Sequence, residues 1–378
     1  MEDFGTEIFV GATLEVTVER MASGGQAVAR HNGFVLFFYY GAPGDICRIQ
    51  VDRQHKRYGE ATLLEVLKPG ERRLPHCPYF GSCGGCQWQH LPYLEQLRQK
   101  SQILQHALQK VNIPARSSDV IASPKEFHYR NRIQLHSINK KVGFHSLRSN
   151  QLVEIDQCAI ADPQINDWMK QDSNKKLPDR FELFLDEDGH LHESFNTPRG
   201  RSLKRFSQIN QEVNSLLVDW VVKKALGAQK IWDLYAGAGN FSLVLAKQTG
   251  DAEVLAVESS AYNVRTGHKL AQSAKLDSRV RFECSRVERF LKHTRLECPE
   301  LALLDPPREG LSPQVKQMLL KMRIKRLILI GCDVANFARD LSSLTEVYEL
   351  LEVKAFDMFP QTHHLESAGY LELKQSAF

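Results

Sequence analysis

The stretch Lys230-Ile-Trp-Asp-Leu-Tyr-Ala-Gly-Ala-Gly-Asn-Phe-Ser242 decides how this chain is read. A short strand covers its first five residues, two glycines (Gly237 and Gly239) make a turn, and a helical run follows from Phe241 to Gln248. Glycine lets backbone approach a ligand closely, and the first turn of a helix offers unpaired N–H groups to it. The next strand, Glu253-Val-Leu-Ala-Val-Glu258, ends in a carboxylate about twenty residues on, where it can accept both hydroxyls of a ribose. Asn240-Phe-Ser242 follows Gly239, so the turn is not the dinucleotide form G-x-G-x-x-G; it has the spacing D-x-x-x-G-x-G. A tight turn with no ligand is the plain alternative, and the paired Glu258 speaks against it.

Outward from this stretch the texture is alternating. Asn210–Ala225 and Ala261–Ala274 read as helices, and Leu301–Leu304 and Arg326–Ile330 as strands. That is an α/β, doubly wound sheet of Rossmann-like kind, with ligands expected at the carboxyl ends of its strands. Upstream the chain reads differently. Ala12–Val18 alternates, Ser23-Gly-Gly25 turns, Phe34–Tyr40 is apolar and Gly59–Val66 closes the set, which makes a small barrel of the oligonucleotide-binding kind or a plain β-appendage. Tyr93–Val111 has helical spacing, with Leu97, Leu104 and Leu108 near one face. Strands return at Ile133–His136, Lys141–Phe144, Leu152–Ile155 and Phe181–Leu185. Three domains are expected: a barrel over 1–68, a cysteine-bearing and β-rich central domain over 69–205, and the α/β domain over 206–378.

A chain of 378 residues, 42% hydrophobic and 25% charged, has enough apolar residues for two or three full cores. Its longest apolar run, Phe34–Tyr40, is far too short for a membrane span, so no membrane partner is expected. Met1-Glu-Asp-Phe4 is acidic and lacks an apolar segment, so no signal peptide is expected. The eight cysteines then read as reduced thiols in a cytoplasmic protein. Net charge is only +4, but residues 71–150 hold twelve Lys/Arg against four acids, and Arg199-Gly-Arg-Ser-Leu-Lys-Arg205 is a second basic stretch. Such fields suit a polyanion such as nucleic acid, although a solvated charged face explains charge alone equally well.

Four further segments carry chemistry. Asp305-Pro-Pro-Arg308 ends a strand, and its prolines stiffen a loop whose carbonyls can face a planar base. Ile330-Gly-Cys332 puts a thiol at the carboxyl tip of another strand, where open sheets carry catalytic groups; a buried structural cysteine is the alternative. Asp357-Met-Phe-Pro-Gln-Thr-His-His-Leu-Glu366 sets a carboxylate among apolar residues, which raises its pKa toward general-base duty. Finally, Cys77-x5-Cys83-x2-Cys86 has the look of a metal or cluster site, and it lacks the Cys-x3-Cys-x2-Cys spacing of radical chemistry.

Together these segments resemble the RNA uracil-5-methyltransferase family over nearly the whole chain. The family's order is a TRAM barrel, a Cys-x5-Cys-x2-Cys segment, a β-rich domain with a fourth cysteine, and a class I methyltransferase domain. Here that order is carried by Cys77, Cys83, Cys86 and Cys158, Phe206-Ser-Gln-Ile-Asn210, Asp233–Asn240, Asp305–Arg308, Cys332 with Ala338-Arg-Asp-Leu341, and Asp357–Glu366. The resemblance implies that Gln208, Tyr235, Gly237, Asn240, Glu258 and Asp305 contact S-adenosylmethionine or the base, with Cys332 as nucleophile and Glu366 as base. Four thiolates suit a [4Fe–4S] cluster or zinc equally on ligand count, and the resemblance favours the cluster in a folding or RNA-docking role. Cys47, Cys284 and Cys298 read as structural. Four-cysteine members look like ribosomal RNA enzymes, so a monomer acting on 23S ribosomal RNA is expected.

Two departures stand out. The usual Ser-Cys-Asn-Pro is replaced by Gly331-Cys332-Asp333-Val334, adding a carboxylate that can raise the thiol's pKa. Around Phe282-Glu-Cys-Ser285 no Asn or Asp stands where the adenine contact is expected. Three rival classes fit less well. Cytosine-5 methyltransferases put a cysteine just after the proline loop, where this chain has Arg308. A non-catalytic RNA-binding protein with a decayed site has no use for both Cys332 and Glu366. A redox protein built on the cluster has no use for the methyltransferase layout.

Overall fold

The computed structural model describes residues 8–114, 119–171, 177–186, 188–195 and 208–375. The basic stretch 199–205, Phe206, Ser207 and Arg116 lie outside the described residues.

Five strands open the chain: β1 (Thr13–Met21), β2 (Ala27–His31), β3 (Phe34–Phe38), β4 (Ile46–Gln54) and β5 (Tyr58–Lys68). They close into a barrel in the order β1-β2-β3-β5-β4. Alternation makes the barrel: Leu14, Val16 and Val18 of β1 point inward, and Glu15 and Thr17 face solvent. The sequence reading missed β4, although Cys47, Ile49 and Val51 alternate there with Arg48, Gln50 and Asp52 in the same way. Without β4 the barrel has open edges, the hazard that closure removes.

Next come α1 (Tyr93–Lys110), β6 (Val120–Ile121), β7 (Arg132–Ile138), β8 (Lys141–His145), β9 (Leu152–Glu154), α2 (Pro163–Lys170), β10 (Arg180–Leu185) and β11 (Leu191–Phe195). Strands β11-β10-β7-β8-β9 form one antiparallel sheet. Its covered face presents Ile133, Leu135, Phe181 and Leu183, which pack with Ala161 and with Ile165 of α2. Asp162 caps α2 by accepting from the N–H of Gln164, and Pro163 takes the first helical position, where no N–H is needed.

The remainder is α3 (Gln211–Ala225), β12 (Lys230–Leu234), α4 (Ser242–Gln248), β13 (Glu253–Glu258), α5 (Ala261–Ser273), β14 (Val280–Cys284), α6 (Val287–His293), β15 (Leu301–Leu304), α7 (Pro313–Met322), β16 (Arg326–Gly331), α8 (Val334–Leu344), β17 (Tyr348–Phe356) and β18 (Glu366–Leu373). The sheet order is β14-β13-β12-β15-β16-β18-β17-β6, with β12 to β16 parallel and β18 antiparallel to β16. The chain runs outward from β12 to β14, then returns to β15 on the other side of β12. That reversal is the crevice where open α/β sheets bind ligands. The strands are buried on both faces, which is why Leu301-Ala-Leu-Leu304 reads as an unbroken apolar run.

Two compact units result. One comprises the described parts of residues 1–103 and 125–202 together with Phe359–His363, and the other those of 104–124, 203–358 and 364–378. The insertion of Phe359–His363, taken from the middle of the β17–β18 connection, is not signalled by composition.

Candidate active site

Each candidate catalytic group stands where a strand of the large sheet ends or begins. The turn after β12 is held in an unusual conformation: Tyr235 has a left-handed φ of +71°, a cost for any residue with a Cβ. Its N–H and that of Ala236 both donate to the Val257 carbonyl at 3.0 Å, which fixes it. Gly239, at φ +99°, must be glycine, because a Cβ there would lie 2.9 Å from the Phe282 ring. Glu258 ends β13 and staples the turn, accepting from the N–H groups of Gly237 at 3.1 Å and Ser260 at 2.6 Å and from the Ser259 hydroxyl at 3.2 Å. A carboxylate offers about four acceptor positions, so room remains for a ribose hydroxyl.

Asn240 exchanges two amide hydrogen bonds with Asn214 of α3, at 2.9 and 3.1 Å. Asn210 caps α3 through the Val213 N–H and donates to the Ser123 hydroxyl. Gln208 is half-buried just before it. Asp233 is fully buried and accepts from the Ser242 hydroxyl. Burial lifts its carboxyl to about 6, and its Oδ1 has no hydrogen-bond partner among the described residues. A carboxylate-lined, glycine-floored crevice with one unsatisfied acceptor fits a nucleoside bearing a cationic sulfonium.

The placement of Cys332 and Glu366 is set by register. In the antiparallel β16–β18 ladder Ile330 faces Ala368 and Gly331 faces Ser367, so Cys332 and Glu366 continue that ladder at its open end. Cys332 is half-buried; burial drives its thiol up to about 11, the charges of Glu366 and Asp305 push the same way, and Arg308 opposes them. Burial, then Asp305, raises the Glu366 carboxyl well above the usual range, again against Arg308. Asp305 itself is lifted to about 7 by burial and by Asp233. One thiol, two carboxyls and one guanidinium thus act on one another in the crevice.

Arg308, which the sequence marks as the end of the proline motif and as the residue where a cytosine-5 enzyme has its cysteine, is the cation that favours ionisation of both Cys332 and Glu366. Asp333, the added carboxylate, is exposed and spent as the cap of α8, accepting from the Asn336 N–H at 2.8 Å. It is absent from the charges that move the thiol. The Ala338-Arg-Asp-Leu341 segment also finds a use. Asp340 is buried and accepts from the Leu311 N–H at 2.6 Å and Lys316 Nζ at 3.2 Å, while Asn336 and Arg339 donate to the carbonyls of Arg308 and Glu309, both at 2.8 Å. Gly310 must be small there, since a Cβ would meet Asp340 Oδ2 at 2.2 Å. Helix α8 and the proline loop are therefore one hydrogen-bonded piece.

In the other unit Cys77, Cys83, Cys86 and Cys158 line a single cavity with apolar walls from Phe80, Phe144 and Ile155. Backbone around the thiols is tied down: the Cys77 N–H donates to Gln89 Oε1 at 2.9 Å, and Asn166 bonds both the N–H and the carbonyl of Cys158. Among the described residues no three of these sulfurs lie within 4.8 Å of one another; the one group that does close to that distance is the acidic hairpin Asp186, Asp188 and His190. A single tetrahedral zinc, with Zn–S of about 2.3 Å, needs its sulfurs about 3.8 Å apart. A four-iron cluster takes one thiolate at each iron and so accepts a wider cage. Cys47 is buried as a structural thiol would be, whereas Cys284 and Cys298 are exposed and the structural reading fails for them.

Part of the basic excess of residues 71–150 is taken up in ion pairs, three of which keep the cation more than half exposed. Arg72 pairs with Asp45, Arg73 with Glu126, Arg98 with Glu95, Lys141 with Glu154 and Arg148 with Glu60. Lys100 is fully buried, its Nζ donating to the Phe359 carbonyl. Counting charges along the chain overstated the field available to a polyanion. No helix among the described residues is long and apolar enough to cross a membrane.

With this geometry established, comparison with known proteins is informative. Residues 200–374 match the tRNA (uracil-5-)-methyltransferase family and residues 8–64 match the TRAM domain. An uncharacterized RNA methyltransferase of Bdellovibrio bacteriovorus is 32% identical over 96% of each chain. A 23S rRNA (uracil(1939)-C(5))-methyltransferase of Shewanella halifaxensis is 28% identical over 97% of each. Among solved structures, the tRNA (uracil-54, C5)-methyltransferase of Pyrococcus abyssi, in complex with S-adenosyl-L-homocysteine, superposes with a TM-score of 0.77 at 21% identity, covering 95% of this chain and all of that one. That likeness establishes the fold.

Proposed function

This chain belongs to the RNA uracil-5-methyltransferase family, and we propose that it methylates C5 of one uridine in 23S ribosomal RNA through a covalent bond from Cys332 to C6. The observation that carries this reading is the β16–β18 register, which brings Cys332 and Glu366 to the same open end of one ladder with Arg308 acting on both. The ribosomal target is supported by the full-length likeness to the Shewanella enzyme.

Uracil C5 is too weak a nucleophile to take a methyl group unaided. Cys332, as thiolate, adds through Sγ to C6, and the electron pair moves into the enolate and so to C5. Bound S-adenosylmethionine supplies the electrophilic methyl group and leaves as the neutral thioether. Glu366 then takes the C5 proton, the C5–C6 double bond reforms, and the Sγ–C6 bond breaks to return the thiolate. Asn240, Tyr235, Gly237 and Glu258 would hold the nucleoside cofactor, with Gln208 and Asp305 toward its reactive end. Arg308 eases ionisation of the thiol and of the base. The proline loop, lashed to α8, keeps its carbonyls in a fixed array for a flipped base, since a base inside folded RNA must leave its stack to be reached.

Cys77, Cys83, Cys86 and Cys158 would hold a [4Fe–4S] cluster, a reading supported by their lining one cavity with apolar walls and by the family resemblance. The barrel over 1–68 and the central domain over 69–205 would hold RNA, with catalysis left to 206–378. Mapping 5-methyluridine by mass spectrometry in ribosomal and transfer RNA, from cells with and without the gene, tests the proposal. Loss of one 23S site is expected, and loss confined to transfer RNA rejects the target.

A further inference from the structure

The β17–β18 connection is an unusual loop. It begins after Phe356 and ends at Glu366, which pair with each other at its base. Connections of this kind ordinarily run over the surface. Here Gln361 is completely buried, and its backbone is left-handed at φ +69°, a conformation that costs a residue with a Cβ about 1–3 kcal/mol unless its surroundings dictate it.

The surroundings do dictate it. Gln361 Oε1 accepts from Arg73 Nη2 and Gln96 Nε2, each at 2.9 Å, and Nε2 donates to the Glu126 carbonyl at 3.3 Å. Its N–H donates to Gln96 Oε1 at 2.9 Å, and its carbonyl accepts from the N–H groups of Gln87 at 3.2 Å and Trp88 at 3.0 Å. The two preceding carbonyls are taken as well, Phe359 by Lys100 Nζ at 3.1 Å and Pro360 by the Tyr129 hydroxyl at 3.0 Å. Every polar group of Gln361 has a partner, and those partners come from three separated stretches of chain. Two of them, Gln87 and Trp88, directly follow Cys86. An arrangement this complete keeps Gln361, Gln96 and Lys100 fully buried around a strained backbone, which a mere surface connection has no reason to carry.

We propose that Gln361 is a positioning residue for the base: its clasp by Arg73, Gln96, Gln87 and Trp88 fixes the segment Phe359–His363 and, through the chain, the start of β18 where Glu366 stands. The inference rests on the reading of Glu366 as the group that removes the C5 proton. A base must be held to within about half an ångström of its working position to be effective, and Glu366 follows the clasped segment by three residues. Slack in the clasp should therefore slow proton removal while sparing the steps before it.

Gln361→Met keeps the bulk of the side chain and removes its hydrogen bonds. Arg73→Met, at the partly exposed rim, is the second variant should the first fold poorly. Each is compared with the wild type and with Glu366→Gln for turnover, S-adenosylmethionine affinity by calorimetry, and the methyl-labelled protein–RNA adduct on a denaturing gel. Expected for Gln361→Met are cofactor affinity within about twofold, turnover down by about ten- to a hundredfold, and a labelled adduct that persists as it does in Glu366→Gln. Arg73→Met shows the same pattern more weakly. If adduct persists in Glu366→Gln but neither clasp variant accumulates it, or if their turnover is unchanged, the positioning role is wrong and the base assignment survives. If Glu366→Gln itself turns over normally, the base assignment falls and this inference falls with it.

Discussion

The two thiol-bearing regions of this protein surround cysteine with different neighbours. In the cage, burial and neighbouring thiols hold Cys83, Cys86 and Cys158 protonated, Cys83 at about 11, and the walls are apolar. Arg130 favours the thiolates of Cys86 and Cys158, but burial outweighs it, and a metal centre is what would draw off the protons together. Cys332 is raised to about 11 as well, but it faces carboxyls and a guanidinium rather than other thiols. Similar displacement from different neighbours teaches that a thiol's pKa does not mark the nucleophile. The groups that can move a proton or place a charge beside it do.

The sharpest way to break that contrast is to remove one thiol from each site. Cys332→Ala should cut turnover by about four orders of magnitude or more, leaving the thermal midpoint within a few degrees, as loss of a covalent nucleophile does. Cys83→Ala should do the reverse: lower soluble yield, a thermal midpoint several degrees down and less iron after anaerobic purification, with measurable chemistry in whatever remains folded. A Cys83→Ala protein with full stability and full iron would show that the quartet is not a ligand set.

A smaller effect is expected from Arg308→Met. Attack needs the Cys332 thiolate and proton removal needs ionised Glu366, so kcat/KM should rise with pH through the neutral and alkaline range. Arg308 lowers both pKa values, so its loss should move the rising limb to higher pH, with the loss of activity largest at low and neutral pH and shrinking as pH increases. A uniform loss at all pH values would mean that Arg308 binds substrate rather than tunes ionisation.

Asp333→Asn should change least. Asn caps helices about as well as Asp, so stability should hold within about 0.5 kcal/mol and kcat/KM within about twofold. An increase of tenfold or more in kcat/KM would show that this carboxylate does burden the thiol, as the sequence departure alone had implied.

How far the sequence reaches differs between the two units. The large sheet was legible because Lys230–Leu234, Glu253–Glu258 and Leu301–Leu304 are short apolar runs, the first and last punctuated by glycine or proline just past their carboxyl ends. Those ends carry Asp233, Glu258, Asp305 and Cys332, so motif and strand boundary coincide. The register that brings Cys332 beside Glu366 was not legible, because pairing across a long connection leaves no local periodicity. The strand Ile46–Gln54 was readable and overlooked. The charge excess of residues 71–150 pointed to a polyanion, and what it could not show is that part of it is paired, because Asp45, Glu60 and Glu154 lie outside that window. Gln361 was invisible for the same kind of reason, since its partners Arg73, Gln87, Trp88 and Gln96 lie far away in sequence.

The central claim is that Cys332 attacks first and Glu366 acts last, and one gel tests it. Glu366→Gln is incubated with RNA and cofactor labelled in the transferred methyl, then run under denaturing conditions beside Cys332→Ala. The account predicts a labelled protein–RNA band that accumulates in Glu366→Gln and is missing in Cys332→Ala. Labelled adduct in Cys332→Ala, or normal release of methylated RNA by Glu366→Gln, would contradict it.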